Sequence, residues 1–183
     1  MNVSNEIQKR ESLYESMIIK SSVLPSLYTQ VGFIKSNQPR YESISHHFPN
    51  PGLKWWLVAV LHSLECSLNF TRYLGNGQPL NQVTTISPKG RGPFDTFEAG
   101  AIDAIEENEL DKIADWSIGN VLFKLEGYNG YGYIQHGINS PYLWAGSNQY
   151  VSGKFISDGH FDPRDISSQI GVALLLKNLI LVQ

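Results

Sequence analysis

One stretch constrains the fold more than any other: Trp55-Trp56-Leu57-Val58-Ala59-Val60-Leu61-His62-Ser63-Leu64. A helix over Leu53 to Ser67 carries apolar residues on nearly every side, so it has no face to give to water. The rest of the chain has to enclose it. With 183 residues, 42% hydrophobic and 17% charged, the chain fits one globular domain with a real core and little room for a second.

The enclosing segments are predicted mainly as helices. Asn5 to Ser22 places Ile7, Leu13, Tyr14, Met17 and Ile18 at amphipathic spacing. Ser22 to Gln38, with Pro25 and Gly32, reads as irregular. Tyr41 to Phe48 is expected as a short helix stopped by Pro49-Asn50-Pro51-Gly52. Leu74 to Pro93 carries loop and hairpin chemistry, with at most two short strands around Val83 to Ile86. Helices return at Phe94 to Asn108, capped by Asp95 or Thr96, and at Ser117 to Tyr128, capped by Asp115 or Ser117. A last helix is expected from Asp162-Pro163 through Ile166, Ile170, Val172 to Leu176 and Leu179. The expected architecture is mainly α, a helical domain around a buried central helix with a small β-hairpin or loop lobe.

Several functional classes are disfavoured at once. The net charge is −3, and no Lys/Arg cluster offers a surface for phosphates, so nucleic acid is not an expected partner. The apolar runs are far too short for a membrane span. The single cysteine, Cys66, excludes an intrachain disulfide framework. Met1-Asn2-Val3-Ser4-Asn5-Glu6 lacks a basic n-region and an apolar h-region, so synthesis in the cytoplasm without a signal peptide is expected. His46 and His47 diverge on a helix, and His136 and His160 have no companion at ligand spacing, so neither a metal nor another cofactor is implied.

Glu65 is the sharpest chemical signal. It closes the buried helix three residues after His62, on the same face. Desolvation there would raise its pKa, as would the negative end of the helix dipole. A carboxylic acid kept protonated is what a glycosidase needs to protonate a leaving glycosidic oxygen. The alternative is a glutamate that reaches solvent or pairs with Arg72. His62 is a candidate to bind substrate or position Glu65, or a satisfied core histidine. Cys66 points about 100° away from Glu65 on the helix and reads as a small buried hydrophobe. Candidates for a second carboxylate are Asp95, Glu98, Asp103 and Glu126. Tyr128, Tyr131, Tyr133, Tyr142 and Trp144, interleaved with Asn129, Asn139, Asn148 and Gln149, suit sugar rings, whose C–H faces stack on aromatics and whose hydroxyls pair with amides.

The helix ending in Leu64-Glu65-Cys66-Ser67 resembles the catalytic helix of the lysozyme-like superfamily, whose lytic transglycosylases and goose-type lysozymes end an apolar helix in a Glu-Ser pair. The chain is similar to bacterial and phage lysozyme-like, peptidoglycan-associated proteins in its His62-x-x-Glu65 pattern and in residues 70–80 (FTRYLGNGQPL), 90–104 (GRGPFDTFEAGAIDA), 125–133 (LEGYNGYGY), 140–149 (SPYLWAGSNQ) and 153–163 (GKFISDGHFDP). The resemblance covers about residues 41–180 and implies an α+β lysozyme-like domain at 41–183 after an N-terminal extension at 1–40. It makes Glu65 the catalytic acid and matches Tyr128-Asn129 to a Tyr-Asn motif beside the glycan. Cys66 stands where the Ser of the pair would be, and residues 92–101 occupy the place of a Gly-Leu-Met-Gln type motif.

Together these readings imply a glycosidase acting on the β-1,4 linkages of peptidoglycan, as muramidase or lytic transglycosylase. Glu65 is the acid, Asp103 and Glu98 are the first candidates for a second catalytic group, and His62, Tyr128, Asn129, Tyr131, Tyr142 and Trp144 are the substrate-binding set. Action at a cell wall would follow release or non-standard export. The rival readings are a non-catalytic glycan-binding module, a chitinase-like hydrolase, and a structural protein whose first forty residues dock a partner.

Overall fold

The computed structural model describes residues 2–49, 52–157 and 159–180. The described residues are mainly helical, with one two-stranded antiparallel sheet. They form two compact units, Met1–Thr29 with Asp115–Gln183, and Gln30–Ala114. Residue 40 falls inside the second unit.

In the second unit, α3 (Gln38–His46) packs against both α4 (Trp55–Cys66) and α5 (Phe97–Glu107). Leu57, Val58, Ala59, Val60, Leu61 and His62 of α4 are all fully buried, so the middle of the helix is enclosed all round, as its composition requires, while Trp55, Trp56 and Leu64 keep partial exposure. Each such Leu or Val contributes about 1.5–3 kcal/mol of transfer free energy. Thr96 caps α5 by accepting from the Ala99 N–H. Asn50 and Pro51, in the turn expected after α3, lie outside the described residues.

In the first unit, α1 (Val3–Glu15) lies on α6 (Ile118–Asn129). A Cβ on Gly119 would sit 2.6 Å from the Ile7 carbonyl oxygen, so only glycine permits this approach. Arg10 projects from α1 into a nearly water-free site, 3% exposed, and donates from Nε to Glu126 Oε2 at 2.8 Å. Its other guanidinium nitrogens reach Glu126 again and Glu6 Oε2, the latter at 2.7 Å. The short helices α7 (Gly132–Gln135) and α8 (Pro141–Trp144) follow α6, and α9 (Val172–Ile180) buries Val172 to Leu176 completely.

The structure corrects the sequence reading in four places. Residues 22–38 are not irregular: α2 (Leu24–Ser36) runs through them, with Leu27, Val31 and Ile34 buried at helical spacing. Pro25 falls in its first turn, where a missing N–H costs nothing, and Gly32 has open space around it. The first helix stops at Glu15, and Ile19 instead makes an isolated antiparallel bridge to Ser147. The hairpin lies not in residues 74–93 but in β1 (Lys154–Ser157) and β2 (His160–Asp162), with Phe155 opposite Phe161. The last helix begins at Val172 rather than at Asp162, whose carboxylate takes the Arg164 N–H in a turn.

Candidate functional site

The chain reverses sharply as soon as α4 delivers Glu65. Ser67 and Leu68 both adopt left-handed backbone, at φ 51° and 59°, and the Leu68 N–H returns to the His62 carbonyl at 3.1 Å. A tight loop follows, closed by Tyr73 N–H on the Gln78 carbonyl at 2.7 Å and Gly77 N–H on the Tyr73 carbonyl at 2.8 Å. Gly77, at φ +72°, lets this loop lie against the end of α4, since a Cβ there would meet the Glu65 carbonyl oxygen at 2.5 Å. Gly77→Ala should therefore cost about 1–3 kcal/mol through backbone strain, before any clash is relieved. A urea midpoint unchanged from wild type would contradict that packing.

Glu65 is half-buried at this junction. Cys66 beside it is inert: its thiol is 1% exposed, faces the Tyr73 carbonyl at 3.4 Å, and is pushed up to about 12 by burial first and the Glu65 charge second. The loop beyond is held by isolated backbone hydrogen bonds, such as Thr84 N–H on the Arg91 carbonyl at 2.9 Å, and by side chains. The Gln78 amide accepts from Thr85 N–H at 2.8 Å and Ile86 N–H at 3.1 Å, and donates to Thr85 Oγ1 at 2.9 Å.

Asp103, on α5, is clamped. Its Oδ2 accepts from the Tyr73 hydroxyl at 2.7 Å and from Arg91 Nε at 3.0 Å, and its Oδ1 pairs with the Arg91 terminal nitrogen. Glu98 accepts from Arg40 Nε at 2.7 Å. Burial acts to raise the Glu98 carboxyl, but the hydrogen bond and charge of Arg40 carry the net shift downward. Glu126 lies in the first unit, 3% exposed and bound to Arg10. Asp95 is exposed, with no side-chain partner among the described residues.

His62 is fully buried between Phe70 and Phe97, each with its ring centroid 4.4 Å away. Its Nδ1 shares a 2.9 Å hydrogen bond with the Tyr41 hydroxyl, and Nε2 is buried with no hydrogen-bond partner among the described residues. The ring is walled in by Phe70 and Phe97, and its Nε2 is shut off from solvent. Burial depresses its pKa to about 4; Asn69 and Glu98 oppose that shift and Arg40 adds to it. The unfolded chain binds a proton near pH 6.5 that the folded chain refuses until about pH 4, so stability falls as pH drops through that window. The loss should approach about 3 kcal/mol at pH 4. Urea titrations of wild type and His62→Gln at pH 7 and pH 4.5 check this, because only the wild type should carry the extra slope.

The remaining site residues belong to the first unit. Tyr128 and Asn129 end α6, the first half-buried and the second exposed. Asn129 and Tyr142 line a cavity of about 570 Å³ with Tyr133, Lys154, Phe155 and Gln169. Tyr131 stands apart, stacked on Phe123 at 5.0 Å with its hydroxyl on the Phe123 carbonyl at 3.3 Å. Trp144 is 1% exposed.

The expected residues thus fall into two groups, with Glu65, Glu98, Asp103 and His62 in one unit and Tyr128, Asn129, Tyr131, Tyr142 and Trp144 in the other. Lys154, Phe155 and Gln169 were not among the expected substrate contacts. The Asp-Gly pair between two short runs containing phenylalanine was the available signal for the hairpin that carries Lys154 and Phe155. Among the described residues no group of His, Cys, Asp or Glu is arranged to hold a metal ion, and no helix is long and apolar enough to cross a membrane. Comparison with protein-family models, curated proteins and solved structures returns no match to the chain.

Proposed function

We propose that the chain is a glycosidase that cleaves β-1,4 linkages of peptidoglycan, with Glu65 as the general acid. The observation that carries this reading is the position of Glu65: a half-buried carboxylate on the last turn of a helix whose residues 57–62 are fully buried, backed by a glycine loop. Protonation of the glycosidic oxygen would let the bond lengthen toward an oxocarbenium-like transition state. The polar and aromatic cavity at Asn129 and Tyr142 supports a role in holding sugar, through ring stacking and amide pairing.

The state of the other carboxylates narrows the choice of a second catalytic group. Each carboxylate oxygen has two lone-pair sites, and Asp103 has filled three of its four. Glu98 is made less basic by Arg40. Neither is suited to take a proton from attacking water. Of the candidates in this unit that leaves Asp95, exposed and without a side-chain partner among the described residues. Where no carboxylate serves, the substrate's own groups would complete the reaction and leave an anhydro end.

Mass spectrometry of purified peptidoglycan incubated with wild type and with Glu65→Gln tests this. Muropeptides from wild type alone support the reading; anhydro ends would assign the second step to the substrate's own groups, and hydrolysed ends, heavier by one water, to a second carboxylate. Retention of glycan by both forms with release by neither would identify a binding module, and cleavage of chitin oligomers alone would change the substrate.

A further inference from the structure

The second unit contains a cavity of about 600 Å³ that Glu65 does not line. Its volume lies within the range of about 300–1,000 Å³ common to small-molecule sites. Phe70, Phe94, Phe97 and Leu80 give it apolar walls. Arg40 gives it a fixed cation: the guanidinium lies 3.7 Å from the Phe70 ring centroid, and Nε is committed to Glu98. Stacking and that one hydrogen bond hold the plane in place, while the two terminal nitrogens make no hydrogen bond to any described residue. A guanidinium immobilised on one edge and open on the other is preorganised for a bidentate carboxylate.

The charge balance narrows the class of ligand. Glu98 and Asp95 line the same cavity, so with Arg40 its formal charge is one unit negative. A simple anion would gain from Arg40 and be repelled by the two carboxylates. A zwitterion answers both signs, and Asp95 has no side-chain partner among the described residues to satisfy it otherwise.

We propose that this cavity binds a zwitterionic amino acid or dipeptide with an apolar side chain. The ligand carboxylate lies on the open edge of Arg40, its ammonium on Asp95, and its side chain against Phe70 and Phe94. The assignment does not depend on Glu65 being catalytic.

Isothermal titration of the full chain with alanyl-phenylalanine tests it. One-to-one binding at about 1 mM or tighter is expected. The C-terminal amide, which lacks the carboxylate, should bind at least about tenfold more weakly, as should the N-acetyl form, which lacks the ammonium. Arg40→Gln should weaken the dipeptide by a similar factor. Because Arg40 also anchors Glu98, Asp95→Asn serves as the variant at an exposed, unpaired position. It should weaken the dipeptide while leaving affinity for the N-acetyl form unchanged. The proposal is overturned if the folded wild type does not bind the dipeptide, if the capped forms or inorganic phosphate bind as tightly, or if Asp95→Asn treats dipeptide and N-acetyl form as wild type does.

Discussion

Glu65→Gln should lower the rate of muropeptide release by about 10²–10⁴-fold, the range contributed by a positioned general acid. Glutamine keeps the length and shape of the side chain and can accept a hydrogen bond, but it has no acidic proton to deliver to the leaving oxygen. The change should appear in kcat with little change in KM, because the proton transfer belongs to the transition state rather than to substrate binding. A thermal melt of the variant within a few degrees of wild type would separate lost chemistry from lost structure. Retention of more than half the wild-type rate would remove Glu65 from the mechanism altogether.

The largest effect on stability is expected at Arg10. Arg10→Ala leaves Glu126 charged at 3% exposure without its guanidinium, and breaking a buried pair in this way costs about 3–5 kcal/mol. Burial already raises the Glu126 carboxyl above its ordinary value despite Arg10, and removal of the cation should raise it further. A folded-state pKa above the unfolded one means that the native chain holds a proton more tightly, so stability of the variant falls as pH rises above the unfolded value of about 4.5. The deficit in urea unfolding should therefore be larger at pH 8 than at pH 5. Replacing both partners with apolar residues, as in Arg10→Met with Glu126→Leu, should recover most of it, since no buried charge is then left unpaired. A deficit independent of pH would point to lost packing over Phe123 instead, where the guanidinium lies 5.2 Å from the ring.

What was legible in the sequence was set by local patterns long enough to be distinctive. The enclosed helix α4 follows from ten nearly consecutive residues, and the start of α5 follows from the Thr96 cap. Helix α2 was obscured because Pro25 and Gly32 look like breakers, although Leu27, Val31 and Ile34 already held the period. Asp162-Pro163 has the chemistry of a helix start and serves a turn instead, since an aspartate side chain can accept a backbone N–H in either setting. Glu65 could be singled out because its peculiarity is local, a carboxylate on an apolar helix. The partners of the other carboxylates were invisible for the opposite reason: Arg40 and Glu98 are 58 positions apart, and Tyr73 and Asp103 are 30 apart. No short-range spacing encodes such pairs, and they decide which acids are free to react.

The order of the chain also sets an order of events during synthesis. Every partner within Gln30–Ala114 exists before the first residue of α6 has been translated, whereas Arg10 must wait for Glu126, which emerges 116 residues later. At about 5–20 residues per second, that interval is roughly 6–23 s on the ribosome. The inserted unit can close while α1 is still a nascent segment without its neutralising carboxylate from α6. Helix α1 thus precedes the helix it docks on by the whole length of the other unit.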